Sequence, residues 1–214
     1  MPTRTPRATS TSGPTNTPQP TPTEPIAGIP EGEPFTEALY WFFAEGYPQY
    51  SRLGQALTPQ SELNRGEAAM MYCRLIYQGA KLPVATGTFT DVDAAEYPEL
   101  SACLEQLYRD GYISGTSTVS PRYEPEKPLL LGAMAVLQLR GLYNEPFAAA
   151  PGWQPSAQVS GDPWGNYFDA VWAYSWGEYL IRNGYYDLSF GRFTASEPAS
   201  VAEVSMAFYA VAHK

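Results

Sequence analysis

Histidine and cysteine are almost absent from this 214-residue chain, which carries one of the first, His213, and two of the second, Cys73 and Cys103. A zinc site needs several such ligands together, and His213 has no His or Cys companion nearby, so no metal is expected. No stretch approaches the apolar length of a membrane span, and membrane insertion is not expected. No charged segment followed by an apolar one opens the chain, so an exported form would be a fragment or would start upstream of Met1. Basic charge is scarce as well. Thirteen Lys and Arg against 22 Asp and Glu leave a net charge of −9, which argues against nucleic acid or an anionic membrane as a general partner, because both need a broad basic face. The acidic run "TDVDAAE" (90–96) lacks the spacing and glycine of a calcium loop and is read as helix capping. Nor is there a nucleophile elbow, a phosphate-cradling glycine loop or a recurring acid pair. An enzyme is therefore not expected, and neither is a cofactor.

What the chain does have divides it sharply. The opening "MPTRTPRATSTSGPTNTPQPTPTEP" is almost entirely Thr, Pro and Ser, too poor in apolar side chains to join a core. Residues 1–33 are read as a disordered linker of the kind found in stalks and wall-spanning segments of extracellular proteins. Beyond it, three segments share one pattern: an amphipathic helix ending in glycine, a loop, and a second helix. The first helices lie in "PFTEALYWFFAEGY", "ELSACLEQLYRDGY" and "WAYSWGEYLIRNGY", ending at Gly46, Gly111 and Gly184. The loops arrive at "LTP" (57–59), "YEP" (123–125) and "FTA" (193–195), and eight positions on from each stand Glu67, Ala133 and Glu203. Both cysteines fall on apolar positions of these helices, so two buried thiols are expected, with a disulfide as the alternative.

The stretch "LTPQSELNRGEAAMMYCRLI" (57–76) holds the most informative start. Asn64 and Glu67 have the spacing of a capping box, in which each side chain bonds the other's backbone N–H. Arg65 is unexplained by the cap, because a cation in the first turn opposes the helix dipole. It makes sense if an anion arrives there, met by free N–H groups, the dipole and the guanidinium together. On that view its removal leaves stability unchanged or slightly raised. Aromatics give weaker support. Sixteen tyrosines and five tryptophans are many, and planar rings with polar edges suit sugar faces. Trp41, Tyr108, Trp172 and Trp176 sit in amphipathic helices and are read as packing residues. Trp153 and Trp164, in a Pro/Gly-rich connector, are the candidates for exposed rings.

The pattern resembles the S-layer homology family, usually three tandem copies of F-x-D-V, then W-A-x-x-A-I-x-x-L-x-x-x-G-I, a loop, F-x-P, and T-R-A-E. Phe89-Thr90-Asp91-Val92 matches the opening of the second copy, Trp172-Ala173 matches the third, and Asn64-Arg65-Gly66-Glu67 matches T-R-A-E in the first. The second copy has Leu130-Leu131-Gly132-Ala133 there, losing arginine and cap, while the third has Ser200-Val201-Ala202-Glu203, a capping box without the arginine. The resemblance implies an all-α, pseudo-threefold bundle of three helix-loop-helix repeats, spanning 34–86, 87–146 and 147–214. It implies a monomeric module of a larger exported protein, anchored on the cell wall or cell surface by a secondary cell-wall polysaccharide with an acidic sugar group. By position Arg65 meets that anion, with Asn64 and Glu67 fixing the helix start and Ser200 and Glu203 as weaker counterparts. The alternative is a degenerate module that serves as a structural or protein-docking domain.

Overall fold

A computed structural model describes residues 31–33, 35–115, 120–142, 159–160, 181 and 193–213. Residues 1–30 of the linker expected at 1–33 lie outside them, as do Trp153, Trp164, Trp172, Trp176 and the glycine at 184. The described residues are mostly helical. Five α-helices have their bounds among the described residues: α1 (Thr36–Ala44), α2 (Arg65–Tyr77), α3 (Pro98–Arg109), α4 (Leu131–Leu142) and α5 (Val201–Ala212). The strand content among the described residues is one parallel pairing of two residues a side, β1 (Val159–Ser160) on β2 (Phe193–Thr194).

Helix ends follow from local chemistry. Beyond α1 and α3 the chain turns through Gly46 (φ +78°) and Gly111 (φ +76°), left-handed positions that glycine occupies without the steric cost of a Cβ. At the other end, α2 and α5 each begin on a complete capping box, Asn64 with Glu67 and Ser200 with Glu203. The run at 90–96 does not cap α3, contrary to expectation. Tyr97 occupies that N-cap without a side-chain capping bond, and Pro98 opens the helix, a position where a missing N–H costs nothing. Asp93 instead closes a turn on the Ala95 N–H, and Asp91 reaches across to another segment.

Packing joins α1 to α5 and α2 to α3. Leu39, Phe42, Tyr72, Leu104, Leu107, Leu131, Met134 and Phe208 are all essentially excluded from water in one continuous core. At the centre, the segments entering α2, α4 and α5 are tied head to tail. The Leu63 N–H donates to the Ala199 carbonyl, the Ala199 N–H to the Leu129 carbonyl, and the Leu129 N–H back to the Leu63 carbonyl.

That closed cycle has an outer layer. Arg65 and Gly66 donate their N–H groups to Lys127 and Pro125, Leu131 and Gly132 to Glu197 and Ala195, and Val201 and Ala202 to Ser61 and Pro59. The first two backbone donors of a helix have no partner inside it. Here each pair finds carbonyls in the next segment round, so the start of each of these helices is satisfied by its neighbour.

Candidate functional site

The start of α2 is built outward from Glu67. Its buried carboxylate accepts from the Asn64 N–H at 2.8 Å, the Arg52 N–H at 2.8 Å and the Ser51 hydroxyl at 3.2 Å. The Arg52 guanidinium adds an ion pair at 3.4 Å. Asn64 completes the box by accepting from the Glu67 N–H at 2.7 Å. Both residues are thus committed to the scaffold. They hold the first turn, and with it Arg65, in one place.

Arg65 is half-buried and faces the 121–127 loop. Its Nε–H donates to the Tyr123 carbonyl at 2.8 Å, and its guanidinium lies 4.7 Å from the centre of the Tyr123 ring. The Tyr123 hydroxyl donates back to the Arg65 carbonyl at 3.1 Å. Burial pushes that phenol up to about 12 despite the opposing pull of the Arg65 charge, so it stays a donor at any ordinary pH.

This contact changes the physical account of Arg65. The α2 N–H groups that an anion would need are already given to Lys127, Pro125 and Asn64. What remains is the terminal edge of the guanidinium, which has no carboxylate within ion-pairing distance among the described residues. Removal of Arg65 should therefore lower stability rather than leave it unchanged or slightly raised. The lost charged hydrogen bond, about 1.5–3 kcal/mol, and the ring contact, about 0.5–1 kcal/mol, outweigh a dipole repulsion of about 0.3–1 kcal/mol.

Tyr123 is itself held by residues that the motif reading did not credit. Asp91 accepts the Tyr123 N–H at 2.9 Å through one oxygen and the Glu124 N–H at 2.8 Å through the other. Phe89 meets the Tyr123 ring edge-on, with centroids 5.6 Å apart. Glu124 is in the left-handed region (φ +59°), which turns the loop so that the Tyr123 and Pro125 carbonyls both face α2. Phe89 and Asp91 of the F-T-D-V stretch therefore work as a support for the Arg65 platform. Sequence reasoning missed Arg52, Ser51 and Tyr123 because their partners in the site lie 15 to 58 residues away. The signal that was available was the position of Tyr123 in "YEP", opposite the helix start in the repeat register.

Ser200 and Glu203 form the same box on α5, with the Ser200 N–H 2.7 Å from the Glu203 carboxylate and the Glu203 N–H 3.3 Å from the Ser200 hydroxyl. In place of Arg65 and Tyr123, α5 has Val201 facing the segment that carries Leu57, both buried. Around α4 the equivalents are Leu131 and Phe193, also buried. The Trp153 and Trp164 candidates lie outside the described residues. Trp41 packs edge-on against Tyr209 and His213, as a packing reading requires, whereas Tyr108 is 40% exposed while touching Phe89.

The two cysteines are joined, which corrects the expectation of buried thiols. Cys73 of α2 and Cys103 of α3 form a disulfide with Cα atoms 6.0 Å apart. Their helices pack side by side, so positions that were apolar in pattern became adjacent in space. No group of three or more His, Cys, Asp or Glu that could hold a metal occurs among the described residues. None of the described helices is long and apolar enough to cross a membrane. No protein-family model matches the chain, and no curated protein matches it.

Proposed function

We propose that this chain is a three-repeat module of the S-layer homology kind, a pseudo-threefold bundle that anchors an exported protein non-covalently on a cell-envelope polysaccharide. The observation that carries the reading is Arg65, a guanidinium with no carboxylate partner among the described residues, clamped between the Tyr123 carbonyl and ring. A cation fixed before its ligand arrives loses little side-chain freedom on binding, and its planar edge matches a sugar carboxylate better than an ammonium would. The head-to-tail cycle of backbone bonds supports the threefold arrangement. The disulfide supports an extracytoplasmic setting, since such bonds persist in oxidising compartments. The module has a binding role and no catalytic one, and the polymer's acidic sugar is the group that Arg65 meets.

A second reading, docking to another protein, draws on exposed apolar and aromatic side chains such as Tyr97 and Leu53, 50% and 41% exposed. The two differ in their response to salt. Retention of the chain on purified wall polymer, with acidic groups intact and after their chemical removal, decides between them. The glycan reading requires retention that falls with rising salt and with removal of the acidic groups, because exposed charge pairs are screened. Retention indifferent to both changes belongs to the docking reading.

A further inference from the structure

A cavity of about 570 Å³ opens between α2 and α3, floored by the Cys73–Cys103 disulfide. Its volume falls in the range of small-molecule sites. It lies toward the far end of α2, with Arg74 on its wall nine residues on from Arg65, roughly 13 Å along the axis at 1.5 Å per residue. It is therefore separate from the Arg65 platform. Met70, Leu82 and Ala102 make the walls apolar. The outer rim is the 80–88 strap, which carries Val84, 88% exposed, and is held to α3 by Glu105 through Thr86 and Thr88.

Two charges interrupt the apolar lining. Arg74 comes from α2 and Glu99 from α3, and among the described residues neither makes an ion pair, with the other or with any third group. An apolar trough with a free cation on one helix and a free carboxylate on the other is complementary to an occupant of matching polarity. We infer that the α2–α3 cavity binds an apolar zwitterion of dipeptide size, its carboxylate toward Arg74, its ammonium toward Glu99 and its aliphatic body against Met70, Leu82 and Ala102. This holds whether or not Arg65 binds a glycan.

Leucyl-leucine, N-acetyl-leucyl-leucine and leucyl-leucine amide test the assignment, titrated into the full chain by NMR. Leucyl-leucine should bind saturably, with shifts centred on Met70, Leu82 and Ala102. Blocking either end should weaken binding about two- to fivefold, the scale of one exposed ion pair. Arg74→Ala should weaken the free and acetylated peptides by that factor and leave the amide unchanged, while Glu99→Gln should weaken the free peptide and the amide and leave the acetylated form unchanged. Both residues are exposed, so the fold should survive, and the end-blocked peptides report on the unaltered protein in any case. Absence of saturable binding by the folded wild type overturns the inference. So do shifts centred elsewhere, or losses that do not follow the matching of charge to end group.

Discussion

The junction of α2 with α3 and that of α5 with α1 share a backbone frame and differ in nearly everything placed on it. Both helices begin on a capping box, and both give their first two N–H groups to carbonyls of a neighbouring segment. Around α2 the frame is dressed with polar and covalent links: Arg65 on Tyr123, Asp91 under the Tyr123 loop, and a disulfide to α3. Around α5 it is dressed with apolar side chains, where Phe208 meets the rings of Phe42, Tyr47 and Tyr72 at 4.6–6.1 Å. Val201 and Leu57 stand where Arg65 and Tyr123 do. The fold evidently needs the frame and accepts either dressing. The guanidinium at one junction of three makes contacts that the other two replace with apolar packing, and its outer edge, without a carboxylate partner among the described residues, is the ground for proposing a ligand there.

The comparison breaks most severely at the apolar junction. Phe208→Ala leaves a cavity among three aromatic rings and should cost about 3–5 kcal/mol in denaturant unfolding. Cross-linking dominates at the other junction. Replacing Cys73 and Cys103 together by Ala should remove about 3 kcal/mol, because the bond closes a loop of 30 residues in the unfolded chain. If that double variant unfolded at the wild-type midpoint, the α2–α3 contact would have to be self-sufficient, like its apolar counterpart. Smaller still is the cap. Ser200→Ala should cost about 0.5–2 kcal/mol, and retention on wall polymer, corrected for folded fraction, should hardly change. Loss of retention there would make the α5 start a live site and would erase the distinction between the two junctions.

The least effect is on acid stability, again at α3. Burial opposes charge on Glu105, but bonds from Thr88 and Thr86 more than compensate and hold its carboxyl below the usual range. A carboxyl depressed in the folded state contributes stability above its unfolded value, near 4, and loses it as pH falls through the folded one. Glu105→Gln should therefore be less stable than wild type at neutral pH, with the gap closing in acid. A gap of constant size from pH 7 to pH 2 would assign the loss to packing.

Features written in adjacent residues were legible before any coordinates. The boxes at Asn64 and Ser200 and the left-handed glycines at 46 and 111 depend on partners three or four residues away, and their spacing survives in the chain. What was not legible depends on partners tens of residues distant. Asp91 looked like a cap because acids before helices usually are, yet its acceptors serve Tyr123 and Glu124. Arg65 looked wholly free to meet an anion because its partner is 58 residues away. The thiols looked like two core positions because nothing local says that α2 and α3 lie side by side.

One measurement bears on the central claim that Arg65 is a cation set in place for an acidic glycan. The affinity of acidic wall-polymer fragments should be compared for wild type, Arg65→Ala and Tyr123→Leu, each corrected for folded fraction. Arg65→Ala should lose about tenfold to a hundredfold, the worth of one charge-assisted bond. Tyr123→Leu, with the charge intact and its platform gone, should fall in between. Equal affinity for all three proteins would contradict the claim and leave Arg65 as a brace between two segments of the fold.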